Sequence, residues 1–489
     1  MGPARHRRGE MKFRVDEIVD ATGGRLVAGP PEADAGTVCT DTRLLGEGQT
    51  FLALRGERFD GHDFLADAVG RGAACLVVDR QDRLPESALS PTVAMVVVGS
   101  TLEALAALGR AARARLACPV VAVTGSCGKT TVKDMLGEIL IRHLRGRTPR
   151  ASFNNQIGVP LTLLDAEPED EFVLCEIGTN APGEVAHLAQ IARPTIGIVT
   201  LVAPVHLEGL GTLEDVAEEK AALVEAVPPD GAAILNADDP RVAAMAQRCR
   251  GRVVTVGLTW EADFQAGHVI QTDHGLYFTT TGSAGFEIPV LGEHQAVLAL
   301  AAAAAARELG VSLEESAAAL RVFKPPPMRL VAEEAGDVVV VNDAYNANPS
   351  STAVALGLLA LWPERRKVFF CGDMLELGAE SRTHHEQLGR AIAESGVVRL
   401  VCVGAESKAT AATAVAAGLA AENVTSVPDA DAAAAMASDV VADGDVVLVK
   451  GSRAVRMETV AEVILAARRA LGDRPQGTRL GEWHPANEQ

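Results

Sequence analysis

A chain of 489 residues, 48% of them hydrophobic, is too long for one ordinary core and calls for several domains. Its net charge of −19 speaks against nucleic acid or an anionic membrane as the main partner, since both reward a basic surface. No apolar run satisfies the length rule for a bilayer span, so membrane insertion is not expected.

The first ten residues, "MGPARHRRGE", are polar and basic and lack the apolar segment of a secretory signal. Met11, which opens the first structured-looking segment, is an alternative start. Residues 1–99 read as a small mixed domain, with strand-like runs "CLVVD" at 75–79 and "MVVVG" at 95–99. A helix over 101–116 leads into a central α/β domain, 100–328, with strands expected at 120–125, 172–178, 195–200 and 232–239. The alanine run 301–306 sits between "AVLAL" and "RELG" and reads as a plain helix. "FKPPPMRL" at 323–330 is a natural hinge, because three prolines stop a helix or strand. A last α/β domain, 329–489, has strands expected at 338–345, 367–374, 399–405 and 445–452, then a loop-like tail after about Ala470. Continuous apolar strands alternating with helices predict mainly parallel sheets covered on both faces. Cysteines stand singly at 39, 75, 118, 127, 175, 249, 371 and 402 without a C-x-x-C pair. Buried thiols in a reducing cytoplasm fit that pattern better than disulfides or zinc.

Chemistry concentrates where strands end. "VVAVTGSCGKTTVKDMLGEIL" is strand, glycine turn, then helix, the context of a phosphate-binding loop. Only Ser126 and Cys127 separate Gly125 from Gly128, and Val123 stands where the long form of the motif has its first glycine. Lys129 would reach the β- and γ-phosphates and the Thr130 hydroxyl a Mg²⁺ ion. Cys127 reads as a small residue fitted to a tight turn. Glu176, ending the apolar run "FVLCEIG", is a costly buried carboxylate unless it meets a cation, and Mg²⁺ is the natural one. His206 follows another strand, and a loop histidine alone carries no assignment. Lys220, beside Glu218 and Glu219, reads by itself as a solvated lysine.

Together these segments resemble the Mur ligases, ATP-dependent amide-forming enzymes of peptidoglycan precursor synthesis. The short loop T-G-x-x-G-K-[ST] is that family's normal spelling. "FNNQIGVPLTLL" at 153–164, "EIGTN", "VHLEG" and "EEK" follow in the family's order, and the likeness runs from about residue 12 to 470. "CTDTRLLGEGQTFLALRGERFDGHDF" resembles the UDP-sugar domain of the third and fourth ligases of the pathway. "DAYNANPSS", "CGDMLELGAESRTHHEQLG" and "LVKGSRAVRMETV" resemble the last of them.

The resemblance implies a UDP-binding first domain, a phosphate-loop ATPase domain and a Rossmann-like last domain. It implies ATP and two Mg²⁺ ions, with Gly125, Ser126, Cys127, Gly128, Lys129, Thr130 and Thr131 around the phosphates. Thr130, Glu176 and His206 would be metal ligands, as would Lys220 once CO₂ has converted it to a carbamate, which reverses the reading of Lys220 as merely solvated. Arg329 would meet the γ-phosphate, and Asp343 the ribose, with Asn236 near the base. Lys129, His206, Lys220 and Arg329 form the expected catalytic set. Asp41, Thr42, Arg43, Phe59, Asp60, Gly61 and His62 would face the UDP group. Asn154, Asn155, Tyr345 and Asn346 would face the remaining substrates. Those substrates are a UDP-N-acetylmuramoyl-tripeptide and D-alanyl-D-alanine, and the protein would be a monomer.

One departure stands out. The family pattern H-N-x-x-N-A reads "EHQAVLAL" here, with Gln295 and Leu298 in place of the asparagines, so an adenine contact from that helix loses part of its basis. Three other readings remain. A diamino-acid-adding Mur ligase is disfavoured by "YNANP", and a folylpolyglutamate synthase-like ligase by the first domain. A nucleotide-binding regulator without chemistry is disfavoured by the intact set Lys129, Glu176, His206, Lys220 and Arg329.

Overall fold

Four sheets organise the computed structural model, which describes residues 11–56, 59–80, 93–149, 153–259, 261–280 and 284–471. The "MGPARHRRGE" segment and almost all of the loop-like tail lie outside the described residues.

The first sheet runs Arg25–Ala28, Ala94–Val97, Cys75–Val78, Thr50–Leu52, Val38–Cys39 in spatial order, antiparallel only at the first pair. Beside it, Phe13–Arg14 pairs with Asp34–Gly36. Thr101–Arg115 then forms the connecting helix, its N-terminus capped by Ser100, whose side chain accepts the Glu103 N–H. That helix does not separate two cores. Phe13, Ile18, Val77 and Val96 from the first segment share one apolar cluster with Leu105 and Leu108, and with Val120, Val159 and Leu188 of the next.

The central sheet has nine strands among the described residues, in the order 285–288, 276–280, 264–271, 252–257, 232–236, 196–199, 120–124, 172–176, 146–147. Seven of these are parallel, as the unbroken apolar runs predict. The other two extend one edge as an antiparallel ribbon that "LYFTT" and "GFEI" did not announce. The helix His294–Glu308 has every residue from Gln295 to Ala306 buried. Its alanines let it lie close against the helix Lys129–Leu140 and the sheet.

The last sheet runs Val331–Ala335, Val338–Asp343, Asp445–Lys450, Arg366–Gly372, Val397–Val403, Val424–Val427, parallel after its first pair. Alternate residues supply opposite faces. Phe369 and Leu448 enter one apolar cluster, Phe370 and Val447 the other. Each such side chain contributes about 1.5–3 kcal/mol.

Of the eight cysteines, Cys75, Cys118, Cys175, Cys371 and Cys402 are buried. Burial pushes the thiols of Cys75, Cys175 and Cys402 up to about 12, which makes them inert apolar fillers. No helix among the described residues is long and apolar enough to cross a membrane.

Candidate active site

The strand Val120–Thr124 ends in Gly125 (φ +146°) and the helix Lys129–Leu140 begins after Gly128 (φ +83°). Both glycines hold conformations that L side chains rarely adopt. A Cβ on Gly128 would also lie 2.8 Å from Leu298 Cδ2. Gly128→Ala is therefore expected to cost about 1–2 kcal/mol from backbone conformation alone, before the Leu298 clash. We expect ATP affinity to fall about tenfold, a loss corresponding to about 1.4 kcal/mol. A calorimetric titration with unchanged affinity would show that this turn is dispensable.

Lys129 folds back so that its Nζ donates to the Gly125 carbonyl at 2.6 Å. Burial pushes its pKa down, and Glu176 opposes that shift. Thr130 Oγ1 donates to Glu176 Oε1 at 3.1 Å, and Asn154 Nδ2 donates to the same oxygen at 3.0 Å. Glu176 is 1% exposed, and its Oε2 has no hydrogen-bond partner. Lys133 Nζ stands 3.7 Å from that oxygen. Such a buried, half-satisfied carboxylate beside a hydroxyl fits Mg²⁺. No cluster of three His, Cys, Asp or Glu side chains among the described residues makes a metal cage. That also fits Mg²⁺, which binds through one or two carboxylates plus substrate phosphates.

The last domain meets this loop directly. Arg329 Nη2 donates to Thr130 Oγ1 at 3.1 Å, and its guanidinium lies 3.9 Å over the Tyr345 ring. Asn348 Nδ2 is 3.0 Å from Cys127 Sγ. His206, itself left-handed (φ +53°), binds Glu376 of the "DMLELG" loop through Nδ1. Burial pushes the His206 pKa down against the pull of Glu376.

Apart from Lys133, which stands behind Glu176, the side chains of these groups line one cavity of about 850 Å³ between the central and last domains. On its wall stand the loop residues Ser126 to Thr131, Asn154, Asn155, Glu176, His206, Asn236, Arg329, Asp343, Tyr345 and Asn346. Asn155 is also a brace, since its Oδ1 accepts the N–H groups of Ile157 and Gly158 where a helix starts. Asn236 donates to the Thr200 carbonyl and accepts from the Asp238 N–H. Asp343 accepts the Leu330 N–H and pairs with Lys450 Nζ at 2.5 Å. Burial pushes the Asp343 pKa up and Lys450 opposes the shift. His294 is driven down to about 4 by burial and by Lys450.

Lys220 is not the solvated lysine its neighbours suggest. It lies on the helix Leu213–Ala226 with 1% exposure, behind the cavity wall rather than on it. Burial, then the Lys129 charge, pushes its pKa down to about 7. On the departing helix, Gln295 keeps a buried Oε1 without a partner at the cavity, and Leu298 packs against Gly128.

The first-domain candidates are not on this cavity. Asp41 grips Arg43, whose hydrogen bond holds the carboxyl below its usual range. Thr42 is buried, while Phe59 is 73% exposed. Gly61 sits too close to Ala53 and Leu54 for a side chain. His62 is buried, its Nδ1 on Asp60 and its Nε2 taking the Asp79 N–H. It braces the loop from beneath.

Sequence reading missed Lys133, Glu376 and Lys450. Lys133 lies one turn after Lys129 on the same helix, a spacing that signals a shared face. Lys450 ends a strand in register with Asp343.

Residues 123–306 match the Mur ligase middle domain, 328–453 the Mur ligase glutamate ligase domain, and 36–113 the Mur ligase family catalytic domain. The UDP-N-acetylmuramoyl-tripeptide–D-alanyl-D-alanine ligase of Mycobacterium tuberculosis is 36% identical over 501 residues, spanning 93% of this chain and 98% of its own. The crystal structure of MurF from Acinetobacter baumannii superposes with a TM-score of 0.84 at 29% identity, covering 94% of this chain and 100% of that one. MurF from Thermotoga maritima in complex with ADP gives 0.78 at 26% identity, covering 90% and 99%.

Proposed function

Because this chain belongs to the Mur ligase family, we propose that it joins D-alanyl-D-alanine to a UDP-N-acetylmuramoyl-tripeptide at the expense of ATP. The observation that carries the reading is the hydrogen bond from Arg329 across the domain boundary to Thr130, which itself donates to Glu176, in a chain matching such ligases almost end to end.

A carboxylate does not condense with an amine at neutral pH, because its oxygen leaves poorly. The tripeptide carboxylate therefore attacks the γ-phosphorus, ADP departs, and an acyl-phosphate forms. The dipeptide amine adds to its carbonyl, the tetrahedral species collapses, inorganic phosphate leaves with the electron pair of the acyl–oxygen bond, and the proton given up by the nitrogen passes to the departing phosphate. Phosphoryl transfer demands mainly position and charge neutralisation. Lys129 and Arg329 provide the cations on the protein side. Mg²⁺ at Thr130 and Glu176 would neutralise phosphate charge further, with His206 and a carbamate on Lys220 holding the second ion. The neutral state favoured at His206 leaves its Nε2 lone pair available while Glu376 takes the Nδ1 side. Asp41, Thr42, Arg43 and the Phe59–His62 loop serve the UDP group, and Tyr345, Asn346 and Asn154 the reacting ends. Asp343 and Asn236 serve the nucleoside of ATP. We assign a cytoplasmic location, on the support of the thiols of Cys75, Cys175, Cys371 and Cys402 buried in the sheets.

Phosphate release is the direct measurement. It is expected only when UDP-N-acetylmuramoyl-tripeptide and D-alanyl-D-alanine are both present with ATP. Release with a UDP-dipeptide and a diamino acid instead would move the chain to the neighbouring ligase. Silence under every pairing would favour a nucleotide-binding regulator.

A further inference from the structure

The turn that carries Arg329 is strained on both sides. Met328 (φ +62°) and Leu330 (φ +54°) are bulky residues in the left-handed region, immediately after three prolines. Such conformations persist only where surrounding contacts over-determine them. The contacts here come from the last domain. Tyr345 donates its N–H to the Met328 carbonyl at 3.1 Å, and the Tyr345 ring carries the Arg329 guanidinium. The Leu330 N–H goes to Asp343 Oδ1 at 3.2 Å.

Asp343 is itself held by one residue. Lys450 is 2% exposed, and its Nζ reaches Asp343 Oδ2 at 2.5 Å and the Asn346 carbonyl at 2.9 Å. Asp343 and Lys450 are Cα partners at the ends of adjacent parallel strands, so the sheet register sets their meeting. The loop that Lys450 ties through Asn346 is the one that presents Tyr345. One buried ammonium thus secures two of the supports of the Arg329 turn.

We infer that Lys450 is a positioning residue which, through Asp343 and Asn346, locks the left-handed Met328–Leu330 turn and so delivers Arg329 to the phosphate loop. This rests on the reading that Arg329 faces the terminal phosphate, and it goes further by naming what aims it. It also gives Asp343 a duty toward the backbone next to Arg329, apart from any contact with ribose.

Binding of ADP and of a non-hydrolysable ATP analogue, measured by calorimetry on the full chain with Mg²⁺, tests it without turnover. Arg329→Ala is expected to cut the preference for the triphosphate about tenfold or more. Lys450→Met is expected to cut that preference to the same level while ADP affinity stays within about threefold of wild type. Combining both substitutions should remove nothing further, because they act through one group. An equal loss of ADP and triphosphate affinity in Lys450→Met would overturn the inference, since it would mean a general defect or a ribose role alone. If Lys450→Met does not fold, Lys450→Gln, neutral and one atom shorter, replaces it and must show the same selective loss; a wild-type preference there would equally overturn the idea. An unchanged preference in Arg329→Ala would remove the underlying reading of Arg329, and the inference with it, whereas a loss there with none in Lys450→Met removes the inference alone.

Discussion

Lys129→Met is expected to lower turnover by about 10²–10³-fold, while the protein melts no earlier than wild type. The two halves of that result have one cause. Lys129 is half-buried, and desolvation of its ammonium disfavours the charged form. In the folded chain its Nζ donates to the Gly125 carbonyl. Methionine keeps the length and apolar stem and removes the desolvated charge, so folding loses little. Phosphoryl transfer loses a preorganised cation in a water-poor cleft, and one such group is worth about 10²–10³ in rate. Steady-state phosphate release and a thermal melt decide the matter. A large fall in melting temperature would place Lys129 among the structural residues.

The second large effect concerns Lys220. Lys220→Ala is expected to lower turnover by about 10³-fold, roughly 4 kcal/mol, through loss of a negative group beside the metal. Acetate or another small carboxylate should restore part of it. The chemistry follows from the buried amine. Its pKa of about 7, against an ordinary value of 10.5, leaves much of it neutral at pH 7.5. In the modification proposed for Lys220, the neutral amine would attack CO₂ to give a carbamate and release one proton, turning a cation into an anion. The sign of the pH dependence is set by that proton. As pH falls through about 7 the amine protonates, carbamate formation reverses, and activity declines. As pH rises above 7 the reactive form is already dominant, and the gain levels off. Stripping CO₂ from buffer at pH 6.5 should slow the enzyme, and bicarbonate should bring it back over minutes. An alanine variant as active as wild type would sink the carbamate.

Much of this site is visible in the one-dimensional order of residues, and the reason is local. A phosphate loop is a contiguous segment whose spacing encodes its turn, so Gly125 to Thr131 can be read directly. The parallel strands show as apolar runs such as "VVAVTG" and "FVLCEIG", because burial on both faces leaves no polar alternation. What escaped is non-local or depends on facing. Lys450 and Asp343 stand 107 residues apart and meet only because two strands align. Glu376 reaches His206 across 170 residues. Lys220 sits among glutamates in sequence, yet the helix turns Lys220 and Glu219 inward while Glu218 pairs outward with Arg248. The edge ribbon escaped because "LYFTT" and "GFEI" are only five and four residues long, too short for their alternation to stand out in the sequence. The shared core of the first two segments could not be read either, since apolar residues do not announce which neighbour they will join.

The alanine-rich helix His294–Glu308 has a consequence for how this protein tolerates change. No alanine of that run lies on the cavity wall, yet His294, Gln295, Val297 and Leu298 at its start do. The run works as a spacer whose thinness fixes a gap, so its sequence is constrained by volume and hardly at all by chemistry. Glycine and serine would pass at small cost. Valine or leucine at Ala302 or Ala305 would shift the whole rod, and the displacement would surface about 6–10 Å away along the helix, where Leu298 presses on Gly128. Low-complexity sequence is here a dimensional tolerance, held at one end of a helix and read out at the other.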